Sequence, residues 1–379
     1  MTPGVLVVGS GVIGLRTALE LLRSGIRVAV RSMQSHQSSC SNGAGGLWMP
    51  YKSDDPRVTG RWATSTLTEL LNMVDSHKRA NVNDGDKELR PRVEVIDTLL
   101  LSNEKTLDLP TWTRDPRISF EQLSSVEMLS RAETSRLRIP PGSLRSSFGL
   151  GGEYGYVQWF RSPVVDAPNV LDDMLREISS HPLTVDVNTE RKYDSIDDMM
   201  GDLSALGFND VVNCTGTGAG ILCQDKEITA GRGSLLHYPR DCPRLTSSER
   251  DIDVNITIQE MPWSTNPDHP SYMIARGDTI IIGGCCEEQA ADCDKVSSLR
   301  SEERERLKSN AQRLGIDTSN AKSCGEWVGY RPLRPEARLD IVEMENGKRI
   351  VHCYGHGGSG WTVYVGVAKD VVQQLGYTV

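Results

Sequence analysis

Residues 4–31 hold the feature that most narrows what this chain can fold into. Val5-Leu-Val-Val8 is a continuous apolar run, as a strand covered on both faces should be. It leads directly into Gly9-Ser-Gly11-Val-Ile-Gly14. Val12, Leu15, Leu19 and Leu22 then recur at helical spacing, Gly25 stops the helix, and a second apolar strand, Arg27 to Val30, follows. A GxGxxG run alone is a weak signal, because an ordinary tight turn can carry it. Between two apolar strands and at the head of a helix, it predicts a βαβ unit that binds a dinucleotide. A side chain at those glycines would block the backbone's approach to a pyrophosphate at the positive helix N-terminus. Arg31 stands where the second strand normally offers an acid to the ribose hydroxyls. Read alone, it fits either a 2′-phosphate, and so NADP, or a solvated strand-end arginine. The identity of the nucleotide has to come from elsewhere in the chain.

Composition excludes several classes. The 379 residues are 38% hydrophobic and 25% charged, with 42 Lys and Arg against 51 Asp and Glu, a formal net charge of −9. With a mean hydropathy of −0.37, this is the profile of a soluble globular protein of two or three folding units at roughly 150 residues each. The acidic balance argues against a nucleic acid or an anionic membrane surface as partner. No apolar run approaches the roughly 18 residues of a membrane span. The first fifteen residues lack a basic segment and a small-residue cleavage site, so no secretory signal is expected. Nine cysteines, an odd number without a CxxC pair, point to free thiols rather than a disulfide framework. No Cys or His pairs sit at ligand spacing, so no metal site is expected.

Further along, Gly43-Ala-Gly-Gly-Leu-Trp-Met-Pro-Tyr51 suggests a backbone that passes close to a ligand. Residues 62–76 read as an amphipathic helix and 77–90 as a charged, solvated excursion. Val157 to Asn188 and Tyr193 to Leu206 read as helices flanking short strands. Asp210 to Gly220 reads as a strand ending in another glycine turn. Strands around 231–236, 255–259, 272–275 and 279–284 suggest a mixed-sheet unit, interrupted by a long loop, Glu260 to Ser271, with three prolines. Near the C-terminus, Val328-Gly-Tyr-Arg-Pro-Leu-Arg-Pro335 sets two arginines beside prolines that fix the backbone. The strand Arg349 to Tyr354, the turn Gly355-His-Gly-Gly-Ser-Gly360 and an apolar helix from Val363 to Leu375 repeat the strand, glycine turn and helix pattern. Such a helix N-terminus suits an electron-rich group, for example the N1/O2 edge of a flavin.

Taken together, GSGVIGL (9–15), GAGGLWMPY (43–51), NCTG (213–216), GRG (231–233), GYRPLRP (329–335) and YGHGGSGWT (354–362) resemble the D-amino acid oxidase and D-aspartate oxidase family, in its order and over nearly the whole chain. The resemblance implies an α/β protein in which a discontinuous Rossmann-like FAD-binding domain (1–50, 140–225, 325–379) joins a mixed-sheet substrate domain (51–139, 226–324). It implies FAD rather than NADP. It also implies hydride transfer from the Cα of a D-amino acid to flavin N5, with O2 as acceptor and hydrogen peroxide, a 2-oxo acid and ammonia as products. The alternatives are a D-aspartate oxidase, or a flavin amine oxidase or dehydrogenase of the glycine, sarcosine or D-proline type. A homodimer is a further implication. A cytoplasmic or peroxisomal location is expected, although the final Tyr377-Thr-Val379 is no SKL-type signal.

By the same resemblance, Arg331 is the arginine that grips the substrate carboxylate, which a planar guanidinium can pair through both oxygens. Tyr272 is the tyrosine that supports it. Arg334 is the rival for the clamp and reads as a salt bridge. The cofactor-binding candidates are Gly9, Gly11, Val12, Ile13, Gly14 and Arg31; Gly45, Gly46 and Leu47; Cys214, Thr215 and Gly216; and Gly357, Gly358, Ser359, Gly360, Trp361 and Thr362, of which the last four would line the flavin pyrimidine. Met49, Tyr51, Cys286 and Ser359 would line the substrate pocket. His356 reads as structural. Cys286 can neither stack on a substrate nor pair with a second carboxylate, and Tyr51 replaces the histidine of acidic-substrate members. Both departures favour neutral substrates, while His269 and Arg276 stay possible pocket residues.

Overall fold

The computed structural model of the protein describes residues 3–50, 56–81, 90–133, 152, 154–243, 254–258, 270–293, 295–344 and 347–377. Among them lie a six-stranded and a nine-stranded sheet. Strands are numbered in chain order. The six-stranded sheet contains β1 (Gly4–Val8), β2 (Arg27–Arg31), β6 (Thr184–Asn188), β7 (Asp210–Asn213), β14 (Arg338–Glu343) and β15 (Arg349–Tyr354), in the order β14-β15-β7-β1-β2-β6. All its pairings are parallel except that of the edge strand β14 with β15. β1 is buried along its whole length, as its unbroken apolar run requires.

The nine-stranded sheet contains β3 (Val93–Ser102), β4 (Glu121–Ser124), β5 (Tyr156–Val165), β8 (Thr229–Pro239), β9 (Val254–Ile258), β10 (Ser271–Arg276), β11 (Thr279–Gly283), β12 (Glu287–Ala290) and β13 (Gly325–Leu333). β8 is its hub. One edge of β8 pairs with β12 and then β11, and the other pairs with β13 from Thr229 to His237.

Six helices matter to the site: α1 (Val12–Arg23), α2 (Arg61–Asn81), α3 (Ala167–Ser180), α4 (Ile196–Ala205), α5 (Ser301–Arg313) and α6 (Gly360–Gln374). α6 is apolar on nearly every face and buried along most of its length, as expected of a helix sandwiched inside a core. It packs between α1 and α2. A methyl group at Gly366 would lie 2.4 Å from Trp62 Cα, so that glycine lets α6 and α2 approach closely. The buried Asp370 carboxylate fixes their register by accepting from Trp62 Nε1 at 2.7 Å and from Arg61 Nη1 at 2.8 Å.

Two local expectations need correction. The helix expected from Val157 starts only at Ala167, because Tyr156–Val165 is a strand paired with β3 over ten residues. Its aromatic and β-branched residues favour that state, and Pro163 would break a helix interior. The helix expected over 62–76 begins at Arg61 and continues to Asn81, so the charged stretch starts as helix; residues 82–89 lie outside the described residues. β5 and β13 belong to the nine-stranded sheet, while α2 packs on the core of the dinucleotide unit.

Candidate active site

The first part of the site is made of backbone. Gly9, with φ at 122°, donates its N–H to Arg31 O at 2.7 Å. A methyl group there would lie 2.3 Å from Cys214 O, and one at Gly14 would lie 1.9 Å from Gly9 O. Thus β1, α1 and the end of β7 meet closer than side chains allow. α1 starts at Val12 with no side-chain cap and no acid in its first turn, and α6 starts the same way at Gly360. The two starts are neighbours: Val12 Cγ1 lies 3.5 Å from where a Cβ on Gly360 would be. Two helix N-termini side by side, neither capped by its own N-cap side chain, form a positive cradle that suits pyrophosphate and an electron-rich ring. Gly11 heads this turn in extended backbone, and Ile13 packs against the core beneath it. On the β7 side, Cys214 donates its N–H to Val8 O at 2.7 Å. The Thr215 N–H and Oγ1 both donate to Asn213 Oδ1, and Gly216 takes a positive φ of 58°. This arrangement fits FAD.

The segment 41–49 is laced between the sheets. Gly46 has φ at 75° and abuts Val165 O, Gly45 abuts Ile274, and Leu47 bridges Val164. Ser41 Oγ accepts the Val12 N–H at 3.1 Å, while Ser41 O accepts from Trp361 Nε1 at 2.9 Å. Thr362 Oγ1 accepts from Met49 N and donates to Met49 O. The side chains of Trp361 and Thr362 therefore hold this segment in place. Arg31 is engaged as well. Its side chain is buried and turned to Asp186 at 2.9 Å and Asp202 at 3.3 Å, which removes the reason for a 2′-phosphate reading. Ser41 carried no signal in the sequence.

The second part is a face of the nine-stranded sheet. Arg331 lies opposite Gly231, and Gly329 opposite Gly233, across the β8–β13 pairing. These four positions share one face, since opposed residues of an antiparallel pair do so and alternate positions repeat it. A methyl group at Gly233 would lie 2.5 Å from Arg331 Nη1, and one at Gly283 would lie 2.0 Å from the Tyr272 ring. The Arg331 and Tyr272 side chains thus rest on glycines, in the GRG run and in Gly283-Gly284. Arg331 Nη1 donates to Cys285 O at 2.8 Å, and its stem reaches Gly358 in the C-terminal glycine turn. Gly357 in that turn has φ at 54° and donates its N–H to Pro332 O at 2.8 Å; Ser359, buried, caps the start of α6 through backbone bonds alone.

Among the described residues, no acid pairs with Arg331. Desolvation works against its charge, but Tyr272, Cys40, Cys286 and Cys285 outweigh it and raise the guanidinium's pKa further. Desolvation likewise pushes the Tyr272 hydroxyl and the Cys40 thiol up, with Arg331 opposing in each case. A sheltered cation without a counter-charge is costly, and an anion relieves that cost. Arg334, three residues on, is already paired with Asp225 at 3.2 Å and with Glu227. Cys286 Sγ lies over Gly231 and Cys40 Sγ over Gly329. Cys40 escaped the sequence reading, because nothing local distinguishes it from the other eight cysteines. Arg276 is turned away, its Nη1 bonded to Asn42 O and Ala44 O, and burial lowers its pKa to about 10. His356 is buried beside the Trp62 ring. Tyr51 and His269 lie outside the described residues.

The DAO family model, described as FAD dependent oxidoreductase, matches residues 4–374. The D-amino-acid oxidase of Streptomyces coelicolor is 26% identical over 369 residues, spanning 97% of this chain and 95% of that one. The D-aspartate oxidase of Homo sapiens is 24% identical over 393 residues, spanning 98% and 94% respectively. Among solved structures, glycine oxidase from Geobacillus kaustophilus superposes with a TM-score of 0.69 at 16% identity, over 98% of this chain and 95% of that one. That likeness speaks for the fold alone. No helix among the described residues is long and apolar enough to cross a membrane. A glycine cradle with paired helix N-termini, on a chain that matches this family model almost end to end, places the protein in the DAO family of FAD dependent oxidoreductases, with FAD as its cofactor.

Proposed function

We propose that the protein oxidises neutral D-amino acids. The observation that carries this reading is Arg331, a partly buried guanidinium with no acid beside it among the described residues, next to the Tyr272 hydroxyl and the cofactor turn. A carboxylate supplies the missing charge and can take both edges of the guanidinium, which fixes position and orientation together. Tyr272, held protonated, donates to the same group. FAD, held at these turns, would supply the two-electron acceptor for the Cα hydride and return the electrons to O2 as hydrogen peroxide, and the imino acid would hydrolyse to a 2-oxo acid and ammonia. The protein's own task is then alignment and electrostatics. No base is assigned, and His356, buried beside Trp62, keeps a structural role.

The lining supports neutral substrates. Cys40 and Cys286, beside the clamp, are thiols, and the thiol of Cys40 is held neutral by desolvation. Arg276 is committed to backbone carbonyls, and burial lowers the pKa of His237 to about 4, which keeps it uncharged at neutral pH. A second carboxylate therefore finds no cation among these groups. In this reading Gly9, Gly11, Val12, Ile13 and Gly14 hold the pyrophosphate side of FAD, with Cys214, Thr215 and Gly216. Gly45, Gly46 and Leu47, and Gly357 to Gly360, approach the remainder by backbone, and Met49, Cys286 and Ser359 face the substrate. The division into FAD and substrate domains, a homodimer and a cytoplasmic or peroxisomal location belong to the same reading.

Peroxide production by the FAD-loaded protein with D-alanine, D-proline, D-phenylalanine, D-aspartate, glycine and sarcosine tests it. Turnover concentrated on the neutral D-amino acids is expected. Turnover mainly on D-aspartate, or on glycine and sarcosine alone, would reject the substrate class.

A further inference from the structure

Four consecutive residues, Arg331 to Leu333 at the end of β13 and Arg334 just beyond it, each rest on a glycine of a cofactor turn. Arg331 Cδ lies 3.8 Å from where a Cβ on Gly358 would be, and Pro332 Cγ 3.9 Å from the same position on Gly216. For Leu333 and Gly357 the distance is 3.7 Å, and for Arg334 and Gly355 it is 2.9 Å. The clamp strand therefore lies directly against both the β7 turn and the C-terminal turn. Its far end is tied down by charge. The Asp225 carboxylate accepts from Arg334 Nε at 3.2 Å, from Tyr354 Oη at 3.0 Å and, through Oδ1, from the Glu227 N–H at 3.0 Å. Arg334 also pairs with Glu227 and donates to Glu336 O at 2.8 Å, and Arg338 donates to Tyr354 Oη at 2.7 Å. Asp225 follows the β7 turn, Tyr354 ends β15, and Arg334 immediately follows Leu333, the last residue of the clamp strand. One buried carboxylate thus joins the three segments that carry the cofactor turns and the clamp.

We propose that Arg334 and Asp225 form a positioning pair that sets the Arg331 guanidinium against the cofactor turns, so that substrate carboxylate affinity depends on an ion pair that touches no substrate. This rests on the reading of Arg331 as the carboxylate clamp. The fork of Arg334 serves two carboxylates and a carbonyl at once, so its geometry matters as well as its charge. Loss of the pair lets the strand end shift, and small displacements of an orienting group cost affinity before they cost chemistry.

The test uses the FAD-loaded enzyme and propionate, a carboxylate with no amine to oxidise, followed by perturbation of the flavin's visible absorbance. D-alanine kinetics are measured in parallel. Asp225→Asn and Arg334→Lys are each expected to weaken propionate and raise KM about tenfold, with kcat nearly unchanged. Asp340→Asn, a control at the outer end of the network beyond Arg338, is expected to bind propionate as the wild type does. Combined with Arg331→Lys, Asp225→Asn is expected to add less than its separate effect, because it acts through that guanidinium. If one of the two variants loses its flavin, the other carries the same reading. Wild-type propionate binding in both, with binding lost in Arg331→Ala, would overturn the positioning pair and leave the clamp standing. Full additivity with Arg331→Lys would also overturn it. Propionate binding retained in Arg331→Ala would take down the clamp and the pair together.

Discussion

The cofactor cradle and the clamp face both rest on glycines, yet they use them differently. In the cradle, Gly9 and Gly14 let a strand, a helix and a second strand touch, and the recognising groups are backbone N–H donors at two helix starts. On the clamp face, Gly231, Gly233 and Gly329 clear a floor, and the recognising groups of the proposed function are the side chains of Arg331 and Tyr272, brought together from β13 and β10. Backbone recognition is local in sequence, whereas side-chain recognition is assembled by the fold. A substitution in the cradle should therefore remove the cofactor and part of the stability, and one on the clamp face should remove substrate affinity alone.

The largest effect is expected from Gly14→Ala, because its new methyl group would lie 1.9 Å from backbone that cannot move without separating β1 from α1. The flavin-to-protein ratio should fall towards zero, with a stability loss of roughly 3 kcal/mol in denaturant unfolding. Full flavin content in that variant would break the contrast from the cradle side. Gly233→Ala tests the other side. Its methyl group meets the end of a flexible side chain, Arg331 Nη1 at 2.5 Å, so flavin content should hold while KM for a D-amino acid rises about thirtyfold. Tyr272→Phe removes one donor from the same face and should cost about tenfold in kcat/KM, most of it in KM.

A smaller effect concerns both regions at once. Burial lowers the pKa of His237 in β8 and of His352 in β15 to about 4. The unfolded chain takes up protons at these histidines near pH 6.5, whereas the folded chain resists until about 4. Stability should therefore fall as pH drops from 6.5 towards 4, by a few degrees in Tm. Replacing His352 by asparagine should flatten part of that slope without moving KM at neutral pH. The smallest change sharpens specificity. Cys286→Arg adds a cation to the clamp face and should raise D-aspartate turnover a few-fold relative to D-alanine, measured by peroxide release.

The same contrast explains what the sequence revealed. The βαβ unit was legible from periodicity and glycines, because its ligand is met by backbone within thirty residues. GRG and GYRPLRP were visible as motifs, but their pairing as opposite strands of one face was not, since register depends on partners about a hundred residues apart. Arg31 looked available only because Asp186 and Asp202 arrive from distant elements. Trp361 and Thr362 sit in the most distinctive motif, yet their side chains serve the 41–49 segment. Cys40 left no trace at all, because its place beside Arg331 is set by Gly329 from the other end of the chain. The segment from Val157 reads as helix because its mixture of apolar and polar residues fits either period, and only the pairing with β3 decides it.

The most direct test of the central claim is anaerobic flavin bleaching by D-alanine, followed in the wild-type protein, Arg331→Lys and Arg331→Ala at matched flavin content. Rapid bleaching is expected in the wild type, a much higher half-saturating concentration in the lysine variant, and a loss of roughly a thousandfold in kcat/KM in the alanine variant with Tm unchanged or raised. Bleaching by D-alanine at wild-type concentrations in Arg331→Ala would contradict the account, because the carboxylate would then be held by a group other than the guanidinium.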